Sequence, residues 1–191
     1  MKKYLFIAAA ALISISAFGQ TKWTLDKSHT NIGFSITHMK ISEVYGEFTE
    51  FEGEVISTSD DFDGSKVSFS AQVASIDTKN EKRDQHLQSD DFFNAAEYPE
   101  IRFEGKILKE GNDYFLAGDF TIRDITEEVK FDVRYNGTID AWNGKKAGFK
   151  ITGTIDRFDY NLKWGRTIES GGLIVSREVT ISCNVELDEV K

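Results

Sequence analysis

Three histidines, His29, His38 and His86, are the side chains in this chain best suited to proton transfer or metal binding. None has the tight spacing of a metal-binding helix or finger, and a single cysteine, Cys183, excludes thiolate clusters. No metal site is expected. Ser28 and His29 are adjacent, but neighbours on a strand point to opposite faces, so they are not expected to pair as nucleophile and base. No Gly-x-Ser-x-Gly elbow occurs anywhere. The acid pairs Asp60–Asp61 and Asp90–Asp91 read as turn and cap residues rather than a glycosidase pair. What remains is a polar group of His38, Arg83, Asp84 and His86, three of them in the stretch "RDQHLQSDDFFNAAEYP" (83–99). Such side chains can hydrogen-bond a ligand head group, or brace a segment against a strand. No catalytic residue and no cofactor is assigned.

These residues interrupt a chain dominated by period-2 alternation. One face of each run is apolar: Ile32, Phe34, Ile36 and His38; then Val67, Phe69, Ala71 and Val73; then Ile101, Phe103 and Gly105. Leu116, Gly118 and Phe120 follow, with Val129, Phe131 and Val133, then Ala147, Phe149, Ile151 and Gly153, and lastly Val179, Ile181 and Cys183. "YGEFTEFEGEVI" adds a further strand, with Gly46 and Gly53 as expected bend or bulge points. Turn signals such as "SDDFDGS", "KEGND" and "RDITEE" separate the runs. The pattern predicts an all-β, antiparallel domain of about eight strands with one wet face. Closure into a barrel would remove exposed edges, and a two-sheet sandwich satisfies the same alternation. Small residues among inward phenylalanines either fit the taper of a filled core or leave room for one apolar guest.

Two stretches break the alternation. "HMKISEVY" and "TKNEKRDQHLQSDDFF" both predict short helix, the second capped by Thr78 or Asn80 and free of β-branched residues over "NEKRDQHL". Pro99 ends this irregular region and pushes Tyr98 toward an extended conformation. Residues 78–98 therefore read as a helical lid across one end of the barrel, with Phe92 and Phe93 turned inward.

The opening "MKKYLFIAAAALISISAFGQ" has the layout of a secretory signal peptide, residues 1–19, leaving a single domain over 20–191. Its apolar run is shorter than the ~20 residues a spanning helix needs, so no stable membrane insertion is expected. Loss of Lys2 and Lys3 takes the net charge from -9 to -11. An acidic chain argues against a nucleic-acid partner and against docking on anionic lipid. The expected location is the periplasm or the medium. A homodimer is the default expectation for a barrel with an exposed end.

Five blocks in order resemble the YceI-like family, small exported proteins that bind polyisoprenoid lipids in a lipocalin-like barrel. "WTLDKSHTNIGFSITHM" is similar to the family's opening pattern, and "VYGEFTEFEGEV" to its second block. "SIDTKNEKRDQHLQSDDFFNAAEYPEIRFEG" is the most specific. "GDFTIRDITEEVKF" and "DRFDYNLKW" follow, with Phe120, Asp124 and Tyr160 departing from the family's usual leucine and glycines. The resemblance implies a closed antiparallel eight-stranded barrel with a helical excursion over one end. It also implies a long apolar channel for an isoprenoid chain, as in a polyprenyl lipid or a quinone tail, with no catalysis. The ligand contacts expected along such a channel are Phe34, Ile36, Phe69, Ala71, Val73, Phe103, Phe120, Phe131, Phe149 and Ile151. The lid end would add His38, Arg83, Asp84, His86, Phe92 and Phe93. The competing reading is a metal- or His-dependent enzyme using His38 and His86 in the same cavity.

Overall fold

The computed structural model describes residues 19–142, 144–167 and 171–191. All of the expected signal peptide except Gly19 lies outside the described residues. The strands in chain order are β1 (Thr21–Leu25), β2 (Asn31–His38), β3 (Ser42–Phe48), β4 (Phe51–Ser57), β5 (Lys66–Gln72) and β6 (Ile76–Asp77). After a single helix, α1 (Glu81–Gln88), come β7 (Glu100–Glu110), β8 (Asp113–Ile122), β9 (Ile125–Ala141), β10 (Gly144–Asp156) and β11 (Val175–Glu189).

Every neighbouring pair is antiparallel, and β1 closes the ring by pairing with β11 (Leu25↔Leu187) as well as with β4 (Trp23↔Val55). The eleven strands make a closed barrel of eight staves. Three staves are broken in two: β1 continues as β2, β3 as β4, and β5 as β6, each half pairing with the matching half of its neighbour. The other five, β7 to β11, are long and continuous. Alternation is what forces this closure, because each stave has one apolar face that can be buried only by curling the sheet onto itself. Phe103, Phe131, Phe149 and Leu187 face inward and are all 5% exposed or less.

The two ends are sealed differently. At the end where β9 turns into β10, Phe62 reaches in from the β4–β5 loop with 1% exposure. Its ring stands 5.1 Å from Trp23 and from Phe149, and 5.6 Å from Tyr135. Trp23 is anchored by its indole N–H, which donates to Ser57 Oγ at 3.1 Å. At the opposite end lie α1, the segment 89–98 that follows it, and the described residues of the β10–β11 connection, 157–167 and 171–174.

Several local expectations need correcting. "HMKISEVY" forms no helix: His38 pairs with Ser42 across a tight hairpin in which Met39 and Lys40 take left-handed φ values of 51° and 64°. Gly46 and Gly53 sit in unbroken register opposite Phe34 and Phe69, so neither marks a bulge; the stave breaks between them, at Thr49–Glu50. β1 has no long alternating run to announce it, yet it completes the first stave. Val73 does not continue β5. It opens a 3-10 turn (Val73–Ser75), donates its N–H to Pro99 O at 2.8 Å, and buries its side chain in the core.

Candidate functional site

Two adjoining cavities lie in the barrel and share part of their walls. The deep one, about 140 Å³, is walled almost wholly by carbon from Phe69, Ala71, Phe103, Phe131, Phe149 and Ile151, with Phe34 and Phe120 at its upper rim. Where Glu54 touches it, the carboxylate itself pairs with Lys22. The upper one, about 280 Å³, lies beneath the lid and shares Phe34, Phe48, Ile101, Phe120 and Ile181 with the first. Ile36, His38, Arg83, His86, Phe92 and Phe93 all border it. The cavities thus gather every expected ligand-contact residue except Val73 and Asp84.

Asp84 is drawn away by its own neighbours. Its carboxylate accepts from the Thr78 N–H at 2.9 Å and from Thr78 Oγ1 at 2.5 Å. Arg83 fastens to the same residue, donating from Nε to Thr78 Oγ1 and from Nη2 to Thr78 O, both at 2.7 Å. Thr78 is 4% exposed, so this knot pins the start of the lid to the barrel rim. Asn80 is the helix cap, its side-chain oxygen accepting the Arg83 N–H at 3.1 Å. Arg83 nevertheless borders the upper cavity, whereas Asp84 has been absorbed into bracing.

The small residues also do something other than expected. A Cβ on Gly46 would stand 2.8 Å from Phe34 Cε1, and one on Gly153 would stand 3.0 Å from Phe131 Cε1. Both glycines leave room for a neighbouring aromatic ring to approach the backbone closely. Ala71, Gly33 and Gly53 are the small residues that border the deep cavity directly.

The lid is closed by a contact that sequence reasoning missed. Trp164, on the β10–β11 connection, packs 5.2 Å from the His86 ring and 5.3 Å from Phe92, and His86 lies 5.1 Å from Phe92. His86 Nε2 also bonds Asp91 at 2.8 Å. The connection is held by Arg157, 2% exposed, which donates to four backbone carbonyls: Ser176, Leu162, Trp164 and Val175. Burial pushes its pKa below the ordinary arginine value. No period-2 pattern covers 157–174, so Arg157, Leu162 and Trp164 had only the "DRFDYNLKW" resemblance to announce them. Cys183 lines the deep cavity as a buried thiol, pushed up to about 11 by desolvation.

A second polar cluster lies near the β1–β2 break. Ser28 and His29 occupy a turn rather than a strand, so Ser28 Oγ comes within 3.0 Å of His29 Nδ1 after all. Asp26 Oδ2 meets that same nitrogen at 2.8 Å, which leaves no Ser–His–Asp relay across the two ring nitrogens. Asp26, His29 and Glu186 form the one convergence of possible metal ligands among the described residues. Lys146 Nζ is already there, 2.7 Å from Asp26, 2.8 Å from Glu186 and 2.7 Å from Asp188. Its hydrogen bond is the main reason Asp26 lies far below the usual carboxylate range. The cluster is an ion group in which one ammonium bridges three carboxylates.

A closed antiparallel barrel with a lidded, carbon-walled interior defines a lipocalin-like binding protein. The YceI-like domain model matches residues 23–187, and the chain belongs to that family. UPF0312 protein SA2479 of Staphylococcus aureus is 36% identical over 168 residues, 87% of this chain and 96% of its own length. The crystal structure of the Campylobacter jejuni YceI protein superposes with a TM-score of 0.69 at 31% identity, over 88% of this chain and 97% of that one. A polyisoprenoid binding domain from Saccharophagus degradans shares the fold at 14% identity, with a TM-score of 0.63 over 88% of this chain and 98% of its own.

Proposed function

We propose that this protein carries or sequesters a polyisoprenoid-tailed lipid, tail inward, after export to the periplasm or the medium. The observation behind the reading is the pair of adjoining cavities, carbon-walled below and polar only beneath the lid. A linear isoprenoid has no hydrogen-bonding groups, so its affinity comes from apolar area removed from water, about 0.8 kcal/mol gross per buried CH₂, offset by ordering a flexible chain. Membership of the YceI-like family and the shared fold of the Saccharophagus polyisoprenoid binding domain support the same class of guest. Among the described residues, no helix is long and apolar enough to cross a membrane. The protein is a carrier without catalytic residues and acts alone or as a homodimer.

The test is organic extraction of the purified mature protein, with mass spectrometry of the extract and of the intact native protein. A co-purifying species with a ladder of isoprene masses is the expected result. A protein that stays empty after incubation with polyprenols, polyprenyl phosphates and isoprenoid quinones refutes the proposal.

A further inference from the structure

Two exposed apolar tips stand at opposite ends of the barrel. At the plugged end, the β9–β10 hairpin carries Ile139 and a fully exposed Trp142, but Asp140 lies between them, and Asp188 and Glu189 run alongside on β11. At the lid end, the β2–β3 hairpin raises Met39 and Ile41, 42% and 86% exposed, with Lys40 between them. This second hairpin is part of the mouth. His38 and Val44 wall the upper cavity, the Met39 N–H donates to Ile174 O at 2.7 Å, and Lys40 Nζ donates to Gly171 O at 3.0 Å. The hairpin is thereby tied to the β10–β11 connection, which adds Lys163 and Arg166, both exposed. Against these three cations, residues 38–42 and 163–174 hold one carboxylate in sequence, Glu169. The turn is also strained: Met39 and Lys40 both take left-handed φ, the conformation that hairpins ordinarily give to Asn-Gly. A Met-Lys pair there costs backbone strain and returns little burial within the protein, which points the tip toward a partner outside it.

We propose that the β2–β3 hairpin docks the lid end of the barrel onto a lipid bilayer bearing anionic head groups. Met39 and Ile41 enter between the head groups, while Lys40, Lys163 and Arg166 lie over their phosphates. Apolar side chains flanked by Lys and Arg suit a bilayer surface, the first by burial and the second by attraction to anionic lipid. The net charge of -9 speaks against such a partner only for the chain as a whole. At physiological salt, charges act over about 8 Å, so the rim that touches the surface decides. The plugged-end tip has the larger aromatic, but its acids would face the same head groups. Docking at the lid end sets the mouth against a source of lipid, so that a tail can pass inward without crossing water. That use of the docked state rests on the carrier reading; the docking itself is tested apart from it.

The experiment is flotation of the purified mature protein with phosphatidylcholine vesicles, with and without phosphatidylglycerol. The expected result is binding to the phosphatidylglycerol vesicles tighter by about tenfold or more, a preference that shrinks with salt. Ile41→Ser should weaken that binding by about tenfold, and circular dichroism checks that this exposed change leaves the fold intact. Lys163→Gln combined with Arg166→Gln should bring the two kinds of vesicle toward parity. Ile139→Ser, at the plugged end, should bind as wild type. No binding to either vesicle, or binding that Ile41→Ser leaves unchanged, overturns the proposal, and so does a loss caused by Ile139→Ser instead. A dimer in sedimentation velocity that Ile41→Ser splits would mean that a second copy covers the tip, which also overturns it. Uptake of a polyprenol from detergent by a protein that ignores vesicles refutes docking and leaves the carrier standing. Vesicle binding by a protein that takes up no lipid does the reverse.

Discussion

Ala71→Leu and Gly153→Ala both enlarge a small inward residue, and the structure assigns them opposite outcomes. Ala71 is 2% exposed, sits between Phe51 and Ile101 on the neighbouring strands, and borders the deep cavity. Leucine there adds three carbons to free space, a gain of about 2 kcal/mol gross if they fit, reduced by rotamer restriction and local adjustment. The empty variant should therefore match wild type within about 1 kcal/mol or exceed it. Gly153 has no such space, because its Cβ would press on the Phe131 ring. Overpacking costs about 1–3 kcal/mol, and the entropy lost by the unfolded chain returns a little under 1. A net loss of about 1–2 kcal/mol lowers Tm by about 2–8 °C in a domain of this size. Urea unfolding of delipidated samples reads both numbers, and native mass spectrometry reads lipid retention, which Ala71→Leu should reduce far more than Gly153→Ala. If Ala71→Leu destabilises as much as Gly153→Ala, the deep cavity is a filled core and the reasoning fails.

Arg157→Met strips the donor from four backbone carbonyls, two in the β10–β11 connection and two at the start of β11, and should cost about 3 kcal/mol or more, with residues 157–167 showing the largest rise in amide exchange; wild-type-like exchange there would refute its anchoring role. Asp26 and Asp61 are both held below the ordinary carboxylate value of 3.8, chiefly by the hydrogen bonds of Lys146 and Lys109, Asp61 at about 2. Their stabilising contribution is complete above pH 3.8 and drains away as pH falls through that range. Lys146→Met should lower stability at neutral pH and flatten the acid limb, so an unchanged limb by urea titration at stepped pH would contradict the ion group. The Cys183 thiol, buried and raised to about 11, should react with a thiol reagent far more slowly than free cysteine at pH 8, and at the normal rate in denaturant. A fast native reaction would place it on the surface.

Alternation made most of the barrel readable before any coordinates. Residues such as Phe103, Phe131, Phe149 and Ile151 must face inward once a strand is granted, since a one-residue slip would turn every apolar side chain to water. What alternation does not encode is where a stave breaks. β1 and β2 share a stave because Asp26–Thr30 folds back on itself through side-chain bonds, and Val73 leaves β5 because Pro99 supplies its N–H with a partner. Those are contacts between distant or polar groups, invisible to a period. The lid was legible from its cap residue Asn80 and its inward phenylalanines. Trp164 was not, because it reaches His86 and Phe92 across the fold from a segment with no periodicity.

Phe62 also decides how a guest can travel. With its ring wedged among Trp23, Tyr135 and Phe149, Phe62 plugs one end of the barrel, which leaves the end under α1 and Trp164 as the side from which a guest would enter. On the proposed function, an isoprenoid would go in tail first and back out head first along the same track. The barrier to departure then grows with the length of tail inside, each CH₂ of about 0.8 kcal/mol slowing exit roughly fourfold before chain entropy is counted. Short-tailed lipids would exchange quickly and long-tailed ones would dwell, so such a barrel sorts its cargo by time of residence.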